Sequence, residues 1–386
     1  MIRRILWLNN NVKDPVMKKQ FLFVLVLIMF VFAVSCNAQS MRLFTGSFTK
    51  SGENGFNIFD MNPENGSIKL VTGSNAGPDP SYFCISKKHG YIYAANEVMN
   101  FKGRKGGGIT TLSYDPATAG VKKVHEMAVP NGGPCYISLS GNEDFLLVAN
   151  YSGGSVAVVR LDKKGIPEVT TDSILYAPID GKVSHAHMIA PDPSGRRIYV
   201  TDLGLDRIVS YNLDNNGKLI QIRDGIASLA KGAGPRHFTF SSDRQKLYVI
   251  NELNSTITVF DVNKEGVLRE IQTISTLAED FKGKSFCADI HIGRNGKYLY
   301  GSNRGENTIA TFRIEQDGKL IPAGRTACGG DWPRNFVIDP SGRFLLVGNQ
   351  RSGNISIFSI NEKTGVPEEA VMDYKITPPG CLKFLN

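Results

Sequence analysis

From Met41 onward, apolar residues come in short runs that alternate with Thr, Ser and Asn, as in Ser255-Thr-Ile-Thr-Val-Phe260 and Asn354-Ile-Ser-Ile-Phe358. A period of two marks strands with one buried face, and almost no stretch carries the 3.6-residue period of a helix. One run recurs along the whole chain as a short apolar strand closed by a polar residue. It reads Leu43–Ser47, Ile92–Asn96, Leu146–Asn150, Ile198–Asp202, Leu247–Asn251, Leu299–Asn303 and Leu345–Asn349, so units of about fifty residues follow one another seven times. Before each run, from the second unit on, stands a strand and usually a turn such as Asp192-Pro-Ser-Gly195 or Asp339-Pro-Ser-Gly342, in which Asp, Pro and Gly supply the turn dihedrals. Two further strands follow it, the last entered through turns like Asn216-Gly217. Seven units of four short antiparallel strands predict an all-β protein, a seven-bladed β-propeller. The first unit opens directly on its recurrent strand at Met41–Ser47. Its missing strand is expected from Pro379–Phe384, which would close the ring by joining both termini in one blade. No linker divides residues 41–386, so a single domain is expected.

Residues 1–38 follow a different pattern. Lys18-Lys19 precede an apolar run from Phe21 to Val34, and the small residues Ala33, Ser35, Cys36 and Ala38 follow. These are the parts of a secretory signal, and the run is short for a membrane span. Met17, directly before the lysines, is the expected start of translation. Cleavage is expected either before Cys36, leaving a lipid anchor there, or after Ala38. Both place the domain outside the cytoplasm, in the periplasm or cell envelope, with contact to a membrane only through lipidated Cys36.

Composition adds little beyond this. The formal charge of +8 includes +4 from residues 1–38, where Arg3, Arg4, Lys13, Lys18 and Lys19 stand against Asp14. The remaining +4 suits a small anionic substrate and is too weak to argue for nucleic acid. Cys84, Cys135, Cys287, Cys328 and Cys381 show no metal-ligand spacing and read as buried small hydrophobes. No exposed apolar stripe calls for an oligomer, so a monomer is expected.

In an antiparallel pair the start of the first strand and the end of the second lie at the same end. Polar residues at those two places in every blade therefore converge on one rim. Aligned on their turns, His187, Arg236 and Arg334 share one register position, with His237 and Asp289 at the next. The ends of the second strands add Glu97, Asn251, Glu252, Asn303 and Arg304. Arginines gathered there suit a carboxylate or phosphate, whose geometry matches the guanidinium fork. His185 and His187 alternate by two and share a strand face, but without a third clustered ligand no metal is expected, and no motif calls for a cofactor. Lys102–Gly108 is a Gly-rich basic stretch with no helix behind it, so it reads as a blade connection and not a phosphate cradle. The chain has no Gly-x-Ser-x-Gly elbow to support a serine nucleophile.

The segments Asn150-Tyr-Ser-Gly-Gly-Ser-Val156, Gly234-Pro-Arg-His-Phe238, Ala288-Asp-Ile-His291, Ser302-Asn-Arg-Gly305 and Trp332-Pro-Arg-Asn-Phe336 resemble the seven-bladed lactonase family. That family includes bacterial propeller 6-phosphogluconolactonases and fungal carboxymuconate-lactonising enzymes. The resemblance runs from about residue 42 to the C-terminus. It implies hydrolysis of a sugar lactone, or alternatively a cyclase-type isomerisation. A non-catalytic envelope propeller that binds a partner is a third reading. The catalytic residues it implies are His187, Arg236, Glu252 and Arg304, with Glu252 or His187 as base. Substrate would be bound by His185, His237, Asn251, Asp289, Asn303, Arg334 and Glu97. Relatives often carry Pro between the two histidines where this chain has Ala186, which leaves the choice between His185 and His187 open.

Overall fold

A computed structural model describes residues 41–50 and 52–385; the expected export segment, with Met17 and Cys36, lies outside the described residues. Seven four-stranded antiparallel sheets form a ring, and no helix occurs among the described residues. The first blade pairs Met41–Ser47 with the C-terminal strand Pro379–Phe384, in the register Leu43↔Phe384 to Ser47↔Pro379. That C-terminal strand also lies against the innermost strands Pro333–Ile338 and Pro80–Ile85 of its two neighbours, so the ring is closed. Closure leaves no innermost edge open to pairing with another chain.

The repeat turns are built as their sequence predicts. Asp192 accepts the amides of Arg196 and Arg197 at 3.0 and 3.3 Å, and Asp339 accepts those of Ser341 and Phe344 at 3.0 and 2.7 Å. Gly195 adopts φ 71°, and a Cβ there would stand 2.7 Å from Gly141 Cα in the neighbouring blade. Only glycine combines that dihedral with that approach.

Blades are held face to face by apolar side chains and by one repeated polar clasp. The second residue of the recurrent strand is tyrosine in four blades. Tyr93, Tyr199, Tyr248 and Tyr300 are buried and donate their hydroxyls to the carbonyls of Gly165, Gly266, Gly318 and Gly365 at 2.7–3.1 Å, each in the next blade's outer turn. Such a ring buries a large apolar area and satisfies its one polar atom. All five described cysteines are free and buried.

Candidate functional site

The innermost strands are not regular. In six of the seven blades the pairing slips by one residue at the same place, leaving Gly380, Ser81, Cys135, His187, Arg236 and Arg334 as bulged residues; the sixth blade leaves both Ala288 and Asp289 outside the ladder. A bulge sets an extra residue into one strand and re-aims its side chain. The register position that sequence alignment singled out is therefore a break in the ladder, and three of its seven occupants are His187, Arg236 and Arg334.

Two tiers flank the bulges. Above them, each second strand ends on a polar residue followed by Phe48, Glu97, Tyr151, Leu203, Glu252, Arg304 or Gln350. Below them, the next channel position carries Cys381, Tyr82, Tyr136, Met188, His237, Asp289 and Asn335.

At the centre, Glu252 Oε2 lies 2.9 Å from Arg236 Nε and 2.7 Å from Arg304 Nη2. Backbone carbonyls fix both guanidiniums. Arg236 Nη1 donates to Ala288 O at 2.5 Å, while Arg304 donates through Nε to Phe286 O and through Nη2 to Cys287 O at 3.2 and 2.9 Å. Arg236 Nη2 and Arg304 Nη1 have no protein partner among the described residues. Burial alone would raise the Glu252 pKa, but the two arginines outweigh it and hold the carboxyl below its ordinary value. Burial lowers both arginines, Arg304 to about 10, which leaves them cationic at neutral pH.

Beneath this clamp His187 packs edge-on against His237, with ring centroids 5.1 Å apart, and against Tyr151 at 5.5 Å. His187 is buried and its Nδ1 has no hydrogen-bond partner. Desolvation first, then the charges of Arg236, His237, Arg334 and Arg304, push its pKa well below the ordinary value, so the ring is neutral. His237 is also lowered, to about 4, by burial and by Arg236. Its Nδ1 meets Asp289 Oδ1 at 2.7 Å, and its Nε2 faces Arg236 Nη1 at 3.4 Å. Neutral His237 thus donates from Nδ1 and keeps Nε2 as acceptor toward the rim. Arg334 lies 3.7 Å from Glu97 and stacks on Phe48, and Ser81 donates to Glu97 at 2.5 Å.

The structure thus brings together His187, Arg236, Glu252, Arg304 and His237, with Arg334 and Glu97 beside them. Other expected substrate contacts lie elsewhere. Asn251 and Asn303 are fully buried and turn into their blades. The Asn251 amide bonds Thr256 and Thr258, and that of Asn303 bonds Thr276, Glu306 and Thr308. Side chains alternate along a strand, so when Glu252 and Arg304 face the channel the preceding asparagines cannot. Asp289 is buried too: one oxygen takes His237, and the other takes His291 at 2.9 Å, the Asn335 amide and the Phe336 N–H. It orients histidines from below and presents no free oxygen to the rim. His185 stacks on Tyr151 at 4.6 Å and bonds its carbonyl at 3.0 Å, at the edge of the cluster. Of the two histidines, His187 is the one whose ring faces His237. Trp332 escaped sequence reading. It entered only as the first residue of Trp332-Pro-Arg-Asn-Phe336, yet its ring meets Arg304 and Arg351.

A cavity of about 300 Å³ opens at the other mouth of the channel, lined in part by Tyr82, His291, Asn335 and Lys383. It holds none of the clamp residues, which gather with His187 and His237 at the bulged rim.

The fold and this charged, histidine-bearing mouth define a propeller enzyme. The family model for lactonases described as 7-bladed beta-propellers matches residues 42–384, and the chain belongs to that family. The 6-phosphogluconolactonase of Bacillus subtilis is 28% identical over 349 residues, covering 89% of this chain and 98% of its own length. The 6-phosphogluconolactonase of Formosa agariphila is 30% identical, with 86% and 97% covered. Among solved structures, the periplasmic gluconolactonase PpgL of Pseudomonas aeruginosa superposes with a TM-score of 0.84 at 27% identity, covering 90% of this chain and 99% of that one. The protein is a lactonase.

Proposed function

We propose that the protein hydrolyses a sugar lactone of the 6-phosphogluconolactone kind at the Arg236–Glu252–Arg304 clamp. The observation that carries this reading is the clamp itself: two buried guanidiniums, paired with one carboxylate and anchored on backbone carbonyls, with Arg236 Nε making no hydrogen bond, stand above a neutral histidine whose Nδ1 is also without a partner. Hydrolysis needs donors where charge develops on the carbonyl oxygen, and a base for the attacking water. Arg236 Nη2 and Arg304 Nη1 supply the donors. Of the two candidate bases, Glu252 is engaged by both arginines, whereas His187 keeps an Nδ1 without a partner. His187 serves as base through Nδ1. It takes a proton from water as the oxygen attacks the lactone carbon. The ring C–O bond then breaks, and the leaving alkoxide takes that proton back. The product acid ionises, releasing one proton to solvent. Arginines around His187 weaken it as a base, but they make its imidazolium a strong donor to the alkoxide.

The test compares turnover of 6-phosphogluconolactone and gluconolactone, as excess over spontaneous hydrolysis, in the native protein and in Glu252→Gln and His187→Ala. Loss of the excess in both variants is expected. Unchanged turnover in both would remove the assignment, and turnover of a carboxymuconate lactone alone would make the reaction an isomerisation. The signal-like residues 18–38 and the likeness to a periplasmic gluconolactonase support export as the setting of this reaction.

A further inference from the structure

Arg351 lies just beyond the second strand of the seventh blade, at the same mouth as the clamp. Its guanidinium carbon sits over the Trp332 ring, 3.3 Å from the centroid, in van der Waals contact. Arg304 approaches the same ring, at 5.2 Å. Trp332 thus joins a clamp arginine to an outer one.

Three further observations bear on what Arg351 does. First, it is exposed and has no carboxylate partner among the described residues, whereas Arg236 and Arg304 share Glu252 and Arg334 faces Glu97. Second, the backbone under the stack is held firmly: Trp332 N–H donates to Asn307 Oδ1 at 3.0 Å, Gln350 N–H to Trp332 O at 3.0 Å, and Arg351 N–H to Asp331 O at 3.1 Å. Third, Trp332 has φ 69°, a left-handed backbone that a bulky residue adopts only under strain. Strain kept at the mouth of a site by three hydrogen bonds points to a ring whose position matters. Stacking also restrains a long side chain that would otherwise lose rotamer freedom on binding.

We propose that Arg351, held on Trp332, reads an anionic group on the substrate remote from the lactone, so that the enzyme discriminates charged from uncharged sugar lactones there. The proposal rests on the lactonase reading of the clamp and adds a specificity position to it. The clamp arginines serve the reacting carbonyl, and Arg351 serves the far end of the same substrate. A phosphate or a carboxylate would satisfy the fork alike.

Two measurements decide it. In steady-state assays, Arg351→Ala raises KM for 6-phosphogluconolactone about tenfold, a charge-assisted hydrogen bond's worth, and leaves kcat and the gluconolactone parameters unchanged. Arg351→Lys recovers part of the loss, since a lysine keeps the charge but not the planar stack. In calorimetry with 6-phosphogluconate, glucarate and gluconate, the native protein favours one of the first two over gluconate, and Arg351→Ala erases that preference. The favoured ligand identifies phosphate or carboxylate as the group read. Equal loss on charged and neutral ligands, or no loss on either, overturns the role of Arg351. A native protein that binds all three alike overturns it as well. Should neither lactone be turned over while the calorimetric preference remains and depends on Arg351, the reading of the clamp fails and the discrimination between lactones falls with it, leaving Arg351 only as an anion-binding position.

Discussion

The cluster at the rim turns on which groups keep their charge. Glu252 faces two arginines, and replacing it with Gln leaves both cations buried without a counter-ion. Glu252→Gln is expected to lower kcat by roughly 100-fold and to destabilise the fold by about 3 kcal/mol, read by kinetics and by denaturant melts. His187→Ala removes the proposed base and should lower kcat by roughly two to four orders of magnitude, with a stability loss of about 1–3 kcal/mol from the gap it leaves between Tyr151 and His237. The pH profile separates these roles. His187 is held well below the ordinary histidine value, so kcat/KM should stay level as pH falls through 6.5 and drop only in more acid solution. An acid limb near the ordinary histidine value would mean that a different group is the base.

At the scale of the element, one repeat strand performs two tasks through alternation. Its terminal asparagine binds the blade together, and the residue after it faces the channel. Asn251→Ala is therefore expected to cost about 1–3 kcal/mol of stability while KM for any lactone stays within twofold. A KM effect without loss of stability would return Asn251 to the substrate. The tyrosine clasps act between blades. Tyr248→Phe should cost about 1 kcal/mol, seen as a lowered denaturation midpoint with unchanged kcat, because Gly318 O loses its donor. The bulges are the element-scale feature that sequence alone did not reveal. Alignment placed His187, Arg236 and Arg334 at one position, but a ladder slip has no residue signature of its own here, since Gly, Ser, Cys, His and Arg all occupy it.

For the whole molecule, ring closure depends on six residues at the C-terminus. Deleting 379–386 would expose the edges of Met41–Ser47 and the flanking blades, and aggregation or loss of a single cooperative transition is expected by light scattering and calorimetry. The buried histidines give the ring an acid limit. His237 stays neutral in the folded state down to about 4, while the unfolded chain protonates it near its ordinary 6.5. The unfolded state binds the extra proton in that window, so stability is complete above 6.5 and falls as pH drops toward 4. The loss is up to about 3 kcal/mol, measured as denaturation midpoints across pH. His237→Gln should flatten that slope; an unchanged slope would assign the acid limit to other groups.

The sequence by itself determined the architecture and which polar residues gather at one rim. A period of two, turns of Asp, Pro and Gly, and seven copies of one strand admit only a ring of blades, and a repeat carries its register from one copy to the next. The same register brought His187, Arg236, Glu252 and Arg304 to one mouth. Only the tertiary structure decided which polar residues face the channel. Asn251 and Glu252 are neighbours in the chain, yet strand alternation sends one into the blade and the other between two arginines. It also decided that Asp289 serves histidines from below and that Trp332 joins Arg304 to Arg351. Of these contacts, Glu252–Arg304, His237–Asp289 and Trp332–Arg304 cross from one blade to the next, and the distance between residues on separate blades depends on how the blades pack, which no local pattern encodes.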